Sequence, residues 1–159
     1  MTGRVLTRQK HWRNRLIAWA KEIQGLPYEW GHTDCAALVR TALELQFGED
    51  VLWMLPTWSS ADVAKEVWAS FARNGGSVGG LLTSLGAQHL LPRHMGARYP
   101  MGSVLVLQQD PDKDDMCFPS FGVSLAQYVV QSHMERGVYW AVGFEVEAAW
   151  LLEEVRLNG

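Results

Sequence analysis

The chain has 159 residues, 48% of them apolar and 19% charged, and a formal net charge of −3. Length and composition fit one soluble globular domain, with about 70% of the unfolded surface buried on folding. The acidic balance argues against a general nucleic-acid binder, two cysteines are too few for a disulfide scaffold, and no apolar run approaches the ~20 residues of a membrane span.

The basic residues Arg4, Arg8, Lys10, Arg13 and Arg15 precede any acidic one. Residues 1–8 read as an arm able to touch an acidic partner or a membrane surface, or more plainly as the approach to a solvated helix face. A first helix is expected from Gln9 to Gln24, because Trp12, Leu16, Trp19 and Ile23 recur at spacings of three and four. Gly25 and Pro27 close it. The apolar stretch Leu16–Ala20 is too short and too far in for a secretory signal, so synthesis in the cytoplasm is expected, with any action outside the cell depending on another carrier. Tyr28 to Thr33 reads as a loop.

A second helix begins near Asp34, capped by Asp34 or Thr33, and runs to Phe47 with Ala37, Leu38, Thr41, Ala42 and Leu45 inward. After a connector containing Pro56, a third helix starts at Ser59 or Ser60 and reaches Arg73, with Val63, Val67 and Phe71 inward. Asn74-Gly75-Gly76 and Gly79-Gly80 then break the chain, and a short helix is expected between them and Leu85. Strands are expected over Ser103–Gln108, Phe121–Gln131 and Val138–Phe144, with a turn at Glu135-Arg136-Gly137. Helices first and a small antiparallel sheet second is an α+β order, in a single domain over 1–159.

The segment that carries chemistry is Pro27-Tyr28-Glu29-Trp30-Gly31-His32-Thr33-Asp34-Cys35-Ala36-Ala37. A cysteine in the first turn of a helix feels the positive end of the dipole and the free amides, which favour thiolate and can hold an oxyanion. A nucleophilic cysteine also needs a histidine to take and return a proton. His32, three residues before Cys35, and His133, on the expected sheet, are the candidates; His89 and His94 lie in a connector. The plainer alternative is that Cys35 is a small hydrophobe at a helix start.

This stretch resembles the cysteine motif of the papain-like NlpC/P60 peptidases, an aromatic-x-Trp-Gly approach with Asp-Cys opening a helix. Its two-residue spacing between Trp-Gly and Asp-Cys is most similar to the phage-encoded tail-assembly and tail-tip form. The Tyr99–Leu107 stretch resembles the family's Gly-Asp-apolar strand entry, with Ser103 in place of Asp, and Gly137 followed by Ala149-Trp150 resembles its closing pattern. The resemblance implies a papain-like core in which Cys35 is the nucleophile, and Tyr28, Trp30, Gly31 and Asp34 lie along the substrate. It also puts Ser120 where the family's general base stands, because Ser120-Phe121-Gly122-Val123 matches the strand that usually opens with histidine; a serine does not do that work near neutral pH, so the resemblance implies a chain that keeps the nucleophile and lacks its base. His133 falls near the third polar position. Ala36-Ala37 replaces the usual Ser-Gly.

Other signals are poorer. Asp110, Asp112 and Asp114 are spaced like a calcium loop, but Asp115 stands in place of its glycine and Phe121 in place of its closing Glu. Cys and His are too scattered for zinc, so neither metal nor cofactor is expected. The leading expectation is a structural component of a phage tail tip or baseplate, located in the virion. Its partners would be other tail proteins, such as hub or distal tail proteins. The alternative is a cysteine endopeptidase that cuts peptidoglycan peptide stems during genome entry.

Overall fold

The computed structural model describes residues 3–53, 55–90, 98–107 and 120–157. Among these the order is β1 (Arg4–Thr7), α1 (Trp12–Ile23), α2 (Cys35–Phe47), α3 (Ala61–Arg73) and α4 (Val78–Ser84). Seven strands follow: β2 (Gln88–Leu90), β3 (Val104–Leu107), β4 (Ser120–Ser124), β5 (Val129–His133), β6 (Gly137–Ala141), β7 (Val146–Leu151) and β8 (Glu154–Leu157). The class is α+β. One antiparallel sheet has the order β2-β7-β3-β4-β5-β6, and β1 pairs with β8 in a separate two-stranded ribbon. Residues 4–7, read from the sequence as part of an arm, are therefore a paired strand, with Arg4 opposite Leu157 and Thr7 opposite Glu154.

The sheet divides the interior into two layers because successive side chains on a strand point to opposite faces. Phe121, Val123, Val130 and Val138 face the helices and join Leu16, Leu38, Leu43 and Phe47 in the main core. Leu105, Leu107 and Ala149 point the other way and pack with Tyr99 in a second, smaller cluster. Each fully buried leucine or phenylalanine contributes about 1.5–3 kcal/mol through lost apolar exposure, so α2 is held mainly by its Leu38, Leu43 and Phe47 face.

The helices sit close to their expected bounds, and the differences lie in which residues turn inward. On α1 Trp12, Leu16 and Ala20 are buried, while Trp19 and Ile23 are partly buried at the core margin. On α3 it is Ala64 that is fully buried, while Val63 is 43% exposed. The run expected as one strand from Phe121 to Gln131 is two strands, β4 and β5, joined at a tight reversal. Ala126 has φ 69°, and the Gln127 amide donates to the Leu125 carbonyl. The calcium-loop residues Asp110, Asp112 and Asp114 lie outside the described residues, as do His94 and Cys117.

The loop after α1 is tied to the edge of the sheet. Gly25 donates its amide to the Val138 carbonyl, and Val138 donates to the Leu26 carbonyl, both at 2.9 Å. Gly137 permits this approach, since a Cβ there would lie 2.2 Å from the Leu26 oxygen.

Candidate functional site

The site is built on the start of α2, and its centre is the buried carboxylate of Asp34, which is 2% exposed. Asp34 is the N-cap: its Oδ1 accepts the Ala37 amide at 2.9 Å. Its Oδ2 accepts two further donors, the Gly31 amide at 2.6 Å and the Trp58 indole at 3.0 Å. One carboxylate thus fixes the helix start, the preceding loop and the connector before α3. Thr33 does parallel work in the loop, accepting the Glu29 amide and donating to the Pro27 carbonyl, each at 2.7 Å.

Gly31 occupies a position that no other L-residue fits. Its φ is +82°, and a Cβ would lie 1.9 Å from the Trp58 carbonyl oxygen. Both Gly31 and Asp34 were expected along a substrate. The structure places Asp34 inside, with its oxygens taken by internal donors, and presses Gly31 against Trp58. Their work here is to shape the loop.

Cys35 is the first residue of α2 and is partly exposed. The protein packed around it pushes its thiol up to about 11. The Phe121 backbone amide donates towards the sulfur and opposes the rise, as do the amides of Ala36 and Cys35 itself, while the negative charge of Asp34 adds to it. A helix start normally favours thiolate; here burial, reinforced by the capping carboxylate, outweighs the amides, and the thiol keeps its proton at neutral pH.

Tyr28 lies within electrostatic range of Cys35 and Asp34. Burial first, and then those two groups, raise its phenol well above the usual tyrosine range. Its ring meets Trp30 edge-on, with centroids 5.1 Å apart. Tyr28 and Trp30 therefore form an aromatic wall beside the thiol. On the far side of Ala36 and Phe121 lies an apolar cavity of about 60 Å³, bordered by Ala37, Trp58, Trp68 and Leu82.

The other expected participants make contacts of their own. His32 is an exposed loop side chain, 70% accessible and 3.9 Å from Glu29 Oε1. His133 ends β5 opposite Gly137, and its Nδ1 accepts the Glu135 amide at 3.2 Å. Register puts Ser120 opposite Leu107 and Phe121 opposite Val106. Leu107 belongs to the smaller cluster and Phe121 to the main core, so Ser120 turns away from α2. Its Oγ accepts Gln131 Nε2 at 2.7 Å, and Gln131 Oε1 accepts the Tyr139 hydroxyl at 2.5 Å. That hydroxyl–amide–phenol chain lies on the sheet face remote from α2. The side chains β4 turns towards the helices are Phe121 and Val123, and on β5 they are Val130 and Ser132, the last buried with no hydrogen-bond partner for its Oγ. Ser120 is thus one residue out of phase with the side chains that face α2, a consequence of the two-residue period of strands.

Trp58, Gln131 and Tyr139 were not singled out from the sequence. Trp58 acts on Asp34 across 24 positions through a connector without regular structure, and no local pattern signals that. Among the described residues no group of three or more His, Cys, Asp or Glu could hold a metal ion, and no helix is long and apolar enough to cross a membrane.

No curated protein and no solved structure matches this chain. One family model does, described as a domain of unknown function, and it takes in everything from the end of β1 to the residue after β7. The match spans residues 7–152, and the chain belongs to that family, DUF6950.

Proposed function

We propose that this chain is a structural component of a phage tail tip, built on an NlpC/P60-like core that has lost hydrolytic chemistry. The observation that carries the reading is Cys35: a cysteine opening a helix packed on an antiparallel sheet, with a thiol held protonated by burial and by Asp34. A helix start packed against β4 and β5 is the arrangement a papain-like core requires. Phe121, facing α2 where a base would be needed, supports the loss of proton transfer. The tail assignment rests on the phage-type Trp30-Gly31 to Asp34-Cys35 spacing. Its partners are other tail proteins, hub or distal tail proteins among them. Mass spectrometry of purified particles is expected to find the chain in stoichiometric amounts, and its absence from the virion would sink the reading.

One observation favours a second reading, a peptidoglycan endopeptidase. The backbone amides of Phe121, Ala36 and Cys35 all favour the thiolate of Cys35, as a nucleophile needs. Incubation of wild type and Cys35→Ala with purified muropeptides separates the two. Release by wild type alone establishes the enzyme, and no release by either leaves the structural role.

A further inference from the structure

The side edge of a guanidinium, Nε together with Nη2, is the fork that grips two-oxygen anions. Arg40 fills its fork with Asp50: Nε lies 2.9 and 3.0 Å from the two carboxylate oxygens, and Nη2 donates to Oδ2 as well. Arg156 turns the same edge on Glu154 Oε1, at 3.4 and 3.2 Å. Arg8 presents this edge too, but its Nε and Nη2 are both buried and neither has a hydrogen-bond partner. Buried donors without acceptors are rare in folded proteins, and a bound ion is one of the groups that satisfies them.

The surroundings fit an anion of more than one charge. Arg8 stacks on Trp12 with its Cζ 4.0 Å from the ring centroid, and Arg13 approaches the same ring at 4.6 Å. Burial lowers the Arg8 pKa, Glu153 opposes the fall, and the positive charge of Arg13 deepens it. The single charge of Glu153 is thus felt by Arg8 without filling its fork. Lys10 and His11 are exposed beside the pair, and the first turn of α1 has no acidic residue and no side-chain cap. We propose that Arg8 and Arg13, braced on Trp12, form a binding site for a phosphoryl oxyanion, gripped by the Nε/Nη2 fork of Arg8 and completed by Arg13. A dianion offsets both cations at once, which one carboxylate does not. Because the fork is buried, the Arg8 side chain turns or its cover parts as the anion enters.

The test is nitrogen-15 NMR of the arginine Nε–H groups during titration of the full chain with inorganic phosphate. The control is sodium chloride at matched ionic strength. A saturable shift of the Arg8 Nε–H resonance is expected, lost in Arg8→Lys, which keeps the charge but not the fork, and weakened at least fivefold in Arg13→Gln. Glu153→Gln is expected to tighten phosphate binding at least twofold. Equal shifts with chloride would overturn the proposal. So would a Glu153→Gln variant that loses stability without binding phosphate more tightly, because the fork would then belong to Glu153. Cosedimentation with phosphatidic acid vesicles, whose headgroup is a phosphomonoester, against phosphatidylcholine vesicles, assigns the source: binding names a lipid headgroup, and its absence names a soluble phosphoryl group. Arg13, an exposed residue, serves as the second variant if Arg8→Lys fails to fold.

Discussion

The starts of α1 and α2 are built in opposite ways. At α2 a buried carboxylate accepts three donors and closes the turn. At α1 the N-cap is His11, in left-handed backbone with φ 62° and no side-chain cap, and the nearby charges are positive. An Asp cap stabilises a helix start by about 1 kcal/mol, and its charge also bears on whatever the first turn carries. At α2 that passenger is Cys35. At α2 the residue that secures the helix also adds, after burial, to what keeps the thiol neutral.

The largest effect expected from breaking this contrast is at Gly31. Gly31→Ala adds a Cβ against the Trp58 carbonyl and forces a positive φ on alanine, costing about 4 kcal/mol or preventing folding. Urea denaturation measures it, and a loss below about 1 kcal/mol would mean that the loop is not fixed as described. Asp34→Ala comes next, at about 3 kcal/mol, because it strands the Gly31 amide and the Trp58 indole.

The thiol supplies the third test. A thiol whose folded pKa is raised stabilises the fold fully below the unfolded value. That contribution is lost as pH rises from about 9 towards 11. Stability is therefore expected to fall by roughly 2 kcal/mol across that window, and a Cys35→Ser control should lack the step. In a Cys117→Ser background, iodoacetamide should label Cys35 with a midpoint near 11. Asp34→Asn should speed labelling at pH 9 by removing a negative charge beside the sulfur. A midpoint at or below an ordinary thiol's would reverse the reading of the site.

Two smaller changes sharpen the comparison. Trp58→Phe removes one donor to Asp34 and should cost about 1 kcal/mol. At the other helix, His11→Gly relieves a left-handed non-glycine residue and should stabilise by about 0.5 kcal/mol. Thermal melts of the two variants should move in opposite directions.

Much of the helical half could be read from the sequence, because its signals are local. Asp34 before Cys35, Gly48 after Phe47 and the Trp12-Leu16 spacing each act within a turn or two. The strands were harder. Val104–Leu107 and the Glu135–Gly137 turn were visible, but β1, β2, β7 and β8 owe their existence to partners far along the chain: Arg4 pairs with Leu157, and Gln88 with Leu151. Site geometry was hardest to read, since whether Ser120 or Phe121 meets α2 depends on strand phase. The Asp34–Trp58 bond spans a connector with no periodicity to announce it.

The tie between Leu26 and Val138 has a consequence beyond the site. β6 is one of the two edge strands of the six-stranded sheet, and an outer strand with free amides and carbonyls invites pairing with another chain. By engaging both the amide and the carbonyl of Val138, the loop leading to Cys35 shields the first part of that rim from self-association. Any chain held at high local concentration gains from such protection, whatever its thiol does.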